Sequence, residues 1–282
     1  MRPILITGGN GTLGRAFSRG CKDRGLAHRL TSRAELDIAS RASVEGVLAR
    51  EQPWLVINAA GYVRVDDAEG ETEQCHRDNV VGPETLAREC RERGISLVSF
   101  SSDLVFDGRK AAPYQEHDRP APLGVYGRTK LEAERRVLAA HPCSLVIRTS
   151  AFFGPWDRAN FVTSTLRELA HGRSVRAAND TIISPTYVPD LVHACLDLGI
   201  DGEAGVWHLA NVGSMTWFEL ARAAARLGRY PEEQVVGVPS SDLALRAPRP
   251  AFSVLGSSRG TLLPRVEDAL RRYYELARQE DR

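Results

Sequence analysis

No charge of one sign dominates this 282-residue sequence: 37 lysines and arginines stand against 36 aspartates and glutamates, a formal net charge of +1. Without a strong basic field, no nucleic-acid partner is expected. No apolar run approaches the ~18 residues that cross a bilayer, and MRPILITGG enters an apolar strand pattern directly, without signal-peptide character. A soluble, cytoplasmic protein with no membrane partner is the expectation. The five cysteines, Cys21, Cys75, Cys90, Cys143 and Cys195, are odd in number, widely spaced and free of CxxC pairs, which suits reduced thiols. Seven histidines form neither HExxH nor a cluster at ligand spacing, so no metal site is expected. Repeats and low-complexity segments are missing too.

What is present is enough chain, 43% hydrophobic, to bury one large α/β domain or a nucleotide-binding domain with a smaller cap. Apolar runs bounded by turn residues alternate with helical patterns through the first half, as a parallel sheet with crossover helices requires. PILIT (3–7), HRLT (28–31), WLVINAAG (54–61), ISLVSFSS (95–102) and CSLVIRTS (143–150) read as strands, the last near the far edge of the sheet. Helices are expected after the glycine-rich turn, after a Ser40 cap, over 71–94 as one long helix, and through YGRTK and LEAERRVLAA. The expected fold is a doubly wound parallel α/β sheet of Rossmann type over residues 1–150, with segments around 184–212 returning to it. Residues 151–282 otherwise form a smaller C-terminal substrate-binding cap in this reading.

Directly after the first strand, TGGNGTLG places Gly8, Gly11 and Gly14 in a G-x-x-G-x-x-G pattern that opens a helix. Such a turn lets the backbone approach a pyrophosphate and sets a helix N-terminus against the anion. An ordinary strand-to-helix turn is the alternative, but the position after a strand and before a helix favours a dinucleotide site. Gly8, Gly11, Thr12, Leu13 and Gly14 are therefore cofactor-binding candidates. At the end of the second strand, Ser32 and Arg33 precede any acid, which favours NADPH, with NADH the alternative. A solvated surface charge is the competing account of Arg33. Asp37 and Ile38 follow in a short segment assigned to the adenine.

With NAAG after a strand, SSD at the end of the next and YGRTK on the following helix, the chain resembles the extended short-chain dehydrogenase/reductase superfamily. Within it the sequence is similar to the dTDP-4-dehydrorhamnose reductase family, through LTSRAELDI, VINAAGYVRVDDAE, SSDLVFDG, YGRTKLEAE, VIRTSAFFG, SPTYVPDL and RPAFSVL. The likeness runs nearly end to end. It implies NADPH-dependent reduction of the C4 ketone of a nucleotide-linked deoxysugar, most directly dTDP-4-dehydro-L-rhamnose. The partner implied is the nucleotide-sugar substrate, and a homodimer is one assembly considered.

The chemistry also follows from the residues. Tyr126 and Lys130, four apart, share a helix face, and a cation near a phenol whose ordinary pKa is ~10 favours its ionised form. Tyr126 is then the proton donor to the ketone oxygen, Lys130 holds the nicotinamide ribose, and Ser102 at a strand end donates a second hydrogen bond. The resemblance implies that Asn58, Ala59, Ala60, Gly61 and Asn79 border the cofactor, that Val65, Asp66, Asp103, Leu104 and Ala151 line the substrate pocket, and that Thr149 follows the strand ending near the nicotinamide. Asn160, Trp156 and Arg249 are candidate nucleotide contacts, Arg249 through bidentate binding of phosphate, with loop packing the alternative for all three.

The pattern departs from the family at two places. Leu104 stands where the family commonly has tyrosine, and Ala151 where it has an aromatic, often tryptophan. Together the two changes enlarge the pocket and remove a hydroxyl partner, leaving open a related deoxysugar ketone. A non-catalytic NADP-binding regulatory homologue is a further alternative, disfavoured by retention of Ser102, Tyr126 and Lys130. An epimerase, in this superfamily usually longer and with a larger cap, is disfavoured also by the basic Ser32-Arg33 corner, and a dehydratase because only Asp103 follows the serine.

Overall fold

The computed structural model describes residues 2–157, 159–261 and 263–280. Strand β1 (Ile4–Ile6) leads through the glycine turn into helix α1 (Thr12–Asp23), and β2 (His28–Leu30) into α2 (Arg41–Glu51). Ser40 caps α2 by accepting the Ser43 N–H. Strand β3 (Leu55–Asn58) precedes α3 (Thr72–His76) and α4 (Gly82–Glu92), β4 (Ser96–Ser102) precedes α5 (Val125–Ala140), and β5 (Leu145–Thr149) closes the first half.

Alternate residues of the strands serve two helical layers. Ile4, Ile6, Leu55, Ile57, Val98, Leu145 and Ile147 pack against α1 on one face. Leu5, Val56, Leu97 and Val146 meet α2, α4 and α5 on the other. All four central strands are therefore buried on both faces, as parallel sheets are. The six-stranded order is β10-β5-β4-β3-β1-β2 with parallel pairing throughout. From β1 the chain steps out to β2, then returns across β1 to β3. That reversal opens a crevice at the carboxyl ends of β1 and β3.

After β5 come β6 (Phe152–Phe153), α6 (Phe161–Ala170), β7 (Val175–Ala178), β8 (Ile182–Ile183) and β9 (Thr186–Tyr187). Helix α7 (Val188–Ile200) and β10 (Gly205–His208) rejoin the large sheet, α7 packing beside α1. Strand β11 (Met215–Thr216), α8 (Trp217–Gly228), β12 (Val235–Val238) and α9 (Val266–Glu280) complete the chain, with three two-stranded sheets holding β11-β8, β12-β7 and β6-β9. No described helix is long and apolar enough to cross a membrane.

One local difference from the sequence pattern has a physical cause. The expected single helix over 71–94 carries a π-helical turn at Arg77–Val81. Pro83 has no N–H to give the carbonyl one turn back, and the widened turn accommodates it. Strand β5 lies next to the edge, as its expected place near the far edge requires, with β10 pairing outside it.

Helix α5 is tied to the sheet by a buried ion pair. Arg148 on β5 donates from Nε and Nη2 to the two Glu134 carboxylate oxygens at 2.8 and 2.7 Å, and Ser101 Oγ donates to the same carboxylate. Arg148 Nη1 also lies 3.3 Å from His208 Nε2 on β10. Both charged side chains are almost wholly buried. Arg148→Met is expected to destabilise the fold by about 3–5 kcal/mol, because Glu134 keeps a buried charge without its partner. Urea denaturation measures this; a loss below about 1 kcal/mol would contradict it.

Candidate active site

The crevice at the β1 and β3 ends is shaped by glycines that tolerate nothing larger. Gly8 has φ +71°, and a Cβ there would sit 2.5 Å from the Ala59 carbonyl oxygen. A Cβ on Gly14 would sit 2.3 Å from the Gly8 oxygen, so α1 can approach the turn only with glycine at that position. Gly11 caps α1 without a side chain to occupy its first N–H groups. Thr7 Oγ1 donates to Asn58 Oδ1 at 2.8 Å and accepts the Ala60 N–H at 3.1 Å, locking the two strand ends together.

A cavity of about 600 Å³ runs along this crevice. Gly8, Gly11, Thr12, Leu13, Arg33, Asp37, Ile38, Ala59, Ala60 and Gly61 all line it. Gly14 and Asn58 act behind its wall. Asn79 is also buried behind it: its Oδ1 accepts the Tyr62 N–H at 2.8 Å, and its Nδ2 donates to the Tyr62 carbonyl and to Thr129 Oγ1. The π-helical turn thus presents Asn79 between the loop after β3 and helix α5. Arg33 is not a solitary surface charge, since it holds Asp78 bidentately at 3.1 Å. Arg77 binds Asp37 and Asp78 beside it. The close glycine cradle, the uncapped helix end and the arginines at the far rim fit a phosphorylated dinucleotide.

A second cavity of about 370 Å³ lies over the end of β4 and shares Val63 and Phe152 with the first. Ser102, Tyr126, Val65, Asp103, Leu104, Thr149, Ala151 and Arg249 line it. The motif YGRTK explains part of this convergence. A Cβ on Gly127 would sit 2.2 Å from the Leu104 carbonyl oxygen, so glycine lets the first turn of α5 seat against the turn after Ser102. Glu69 Oε1 accepts the Val125 N–H at 2.7 Å and caps the helix from outside. Ala151 has φ +41°, an uncommon conformation for a residue with a side chain.

Lys130 lies one turn beyond Tyr126, its Nζ 5.6 Å from the phenol ring centroid and donating to the Phe100 carbonyl at 3.2 Å. Burial lowers its pKa to about 8. The phenol responds differently from the sequence expectation. Burial pushes the Tyr126 pKa up from 10, with Asp103 and then Cys75 adding to the rise. Desolvation outweighs the lysine in the cofactor-free chain. The phenol therefore stays protonated at neutral pH, which is the state a proton donor needs.

Three candidates lie elsewhere. Asp66 sits behind the cavity wall, where it accepts the Ala247 N–H and Arg249 Nη2, each at 2.9 Å, and so anchors Arg249. Asn160 caps α6 and donates to the Gly154 carbonyl, lining neither cavity. Trp156 packs on α1 with the Arg19 guanidinium 4.5 Å from its ring centroid. Sequence reasoning missed Thr181, Ile183, Trp217 and Ser253, which line the second cavity from three later segments. The first two directly precede the SPTYVPDL segment and Ser253 lies within RPAFSVL, the local signals that pointed towards them.

The chain matches the family described as RmlD substrate binding domain over residues 1–273. It is 37% identical over 260 residues to a dTDP-4-dehydrorhamnose reductase of Mycolicibacterium smegmatis, covering 91% of this chain and 78% of that one. It is 35% identical to a probable dTDP-4,6-dihydroxy-2-methyloxan-3-one 4-ketoreductase of Streptomyces antibioticus, covering 94% of this chain and 90% of that one. Among solved structures, a dTDP-4-dehydrorhamnose reductase of Bacillus anthracis in complex with NADP superimposes with a TM-score of 0.93 at 29% identity, covering 98% of this chain and 99% of that one.

Between about pH 8 and 10.5 the unfolded chain holds a proton on Lys130 that the folded chain lacks, so stability rises with pH across that window. Below about pH 8 the buried ammonium costs stability. Lys130→Met is expected to make the cofactor-free protein more stable at pH 7 by about 1–3 kcal/mol and to flatten the rise. The orphaned Phe100 carbonyl limits the gain. Denaturation curves across pH test this, and a variant less stable than the parent at pH 7 would refute it.

Proposed function

We infer that this chain, which belongs to the RmlD substrate binding domain family, is an NADPH-dependent oxidoreductase that reduces the C4 ketone of a dTDP-linked 4-keto sugar. The observation that carries this reading is the junction of the two cavities, where Ser102 at the end of β4 and Tyr126 on α5 line the space that shares Val63 and Phe152 with the dinucleotide crevice. A ketone seated there faces both hydroxyls and the mouth of the dinucleotide crevice. NADPH, when bound, supplies the hydride. Tyr126 donates its phenolic proton to the carbonyl oxygen, and burial keeps that proton in place until the oxygen becomes basic. Ser102 Oγ donates a hydrogen bond to the same oxygen. Lys130 supplies positive charge beside the phenol as it loses its proton, and in this role it also binds the nicotinamide ribose. Gly8, Gly11 and the α1 N-terminus hold the diphosphate, and Arg33 lies at the adenosine end. Most of residues 151–282 serve as the substrate-binding part in this proposal, with α7 and β10 of the 184–212 stretch returning to the large-sheet domain.

We take dTDP-4-dehydro-L-rhamnose as the leading substrate. A second reading, a related 4-keto-deoxysugar, is favoured by Leu104 and Ala151, which both line the cavity without any polar side-chain atom. It is also the reading closer to the activity named for the Streptomyces antibioticus relative.

Purified protein is expected to oxidise NADPH only when a dTDP-4-keto sugar is added, and Tyr126→Phe to lower kcat by about 100-fold or more. Full turnover in the phenylalanine variant would remove Tyr126 as donor. Leu104→Tyr, which restores a hydroxyl at the wall, is expected to raise kcat/KM for dTDP-4-dehydro-L-rhamnose about tenfold relative to a sugar with fewer hydroxyls. Trp in place of Ala151 is the poorer test because of its positive φ. An unchanged ratio in the tyrosine variant would show that position 104 does not read the sugar.

A further inference from the structure

Behind Ser102 lies a carboxylate that the reduction as described leaves idle. Asp103 is buried, and its oxygens take three serine hydroxyls: Ser102 at 3.0 Å on Oδ1, with Ser150 at 2.8 Å and Ser253 at 2.6 Å on Oδ2. They come from the end of β4, the turn after β5 and the 250s loop. Among the described residues no cation forms an ion pair with it; hydroxyls and its own backbone are what stabilise its charge.

Ser102 has one proton to give, and one of its lone pairs already accepts the Leu104 N–H at 3.1 Å. While Asp103 is ionised it can only accept, so the Ser102 proton goes to Oδ1. Ser102 then offers the cavity a lone pair, which suits an alcohol and not a ketone oxygen. If Asp103 carries a proton it can donate to Ser102 Oγ, filling the second lone pair and freeing the Ser102 proton for a ligand.

We propose that Asp103 is a positioning residue: its neutral form turns the Ser102 hydroxyl onto the ketone oxygen, and its ionised form turns it away, towards recognition of the alcohol. The idea rests on Ser102 meeting the carbonyl oxygen, as set out above. Burial raises the Asp103 pKa, while the Ser253, Ser150 and Ser102 hydroxyls oppose that rise. The ionisable groups around it are Tyr126 and Lys130 on α5, Cys75 on α3 beside those two, the Glu134–Arg148 pair beyond Ser101, and Arg249 on the 250s-loop side, itself held by Asp66.

The test is the pH profile of kcat/KM for ketone reduction, measured for the parent, Asp103→Asn, Ser253→Ala, and each of these combined with Ser102→Ala. Asp103→Asn, whose amide nitrogen donates to Ser102 Oγ while its oxygen accepts Ser150 and Ser253, mimics the neutral form at every pH and is expected to abolish the alkaline decline due to Asp103, leaving kcat/KM three- to tenfold above the parent's on the alkaline side. Ser253→Ala, which removes a donor that favours the anion, is expected to move that decline to higher pH and serves if the asparagine variant does not fold. Both effects shrink to less than twofold in the Ser102→Ala background. Calorimetry without turnover gives a second readout: binding of dTDP-L-rhamnose, an alcohol, tightens with rising pH and releases a proton, and Asp103→Asn loses both. A decline that persists in Asp103→Asn, a Ser253→Ala shift to lower pH, or equal effects with and without Ser102 would overturn the proposal. Ser102→Ala alone with parental activity would instead remove Ser102 from the ketone, and the proposal with it.

Discussion

The seat of helix α5 on the sheet is the contact on which the rest of the site depends. Three residues on one helix face make it. Gly127 has no side chain and sits against the Leu104 carbonyl, Lys130 reaches the Phe100 carbonyl, and Glu134 takes Arg148 and Ser101. At spacings of three and four they form one stripe along the helix. A larger residue at 127 would lift the first turn and carry Tyr126 away from Ser102, while loss of the Arg148 anchor would free the second half of the helix.

That seat has an electrostatic consequence. It takes a lysine, one of only three in the chain, out of water together with the nearby Asp103, and partly buries the phenol between them. Desolvation then acts in opposite directions on groups of opposite charge type: Lys130 is pushed down, while Asp103 and Tyr126 are pushed up. Each is biased towards its neutral form before any ligand arrives. A site of this kind can hold protons where an uncharged ketone has to be protonated, with little water to compete.

The loops over the site are pinned by the short segment that follows β3. Asp66 holds the 247–249 segment and Glu69 caps α5, so one stretch of chain positions both the Arg249 wall of the second cavity and the helix that carries Tyr126. Tyr62, four residues earlier, is held by Asn79 from the π-helical turn. The irregular turn in an otherwise regular helix is explained by what it presents.

Much of this was legible in the chain before folding. The alternation of apolar runs, the Ser40 cap and the glycine spacing are local signals, because strand periodicity, capping and turn geometry act over a few residues. The same locality made the i and i+4 relation of Tyr126 and Lys130 readable. Tertiary structure alone decided the rest. Asp103 meets Ser253 across 150 positions, and the second cavity draws Leu104, Ala151, Ile183 and Trp217 from four separate segments. No local period relates such residues. The direction of the Tyr126 pKa was set the same way: the nearby lysine is written in the sequence, whereas desolvation depends on everything that packs around the phenol and exists only once the chain has closed over it.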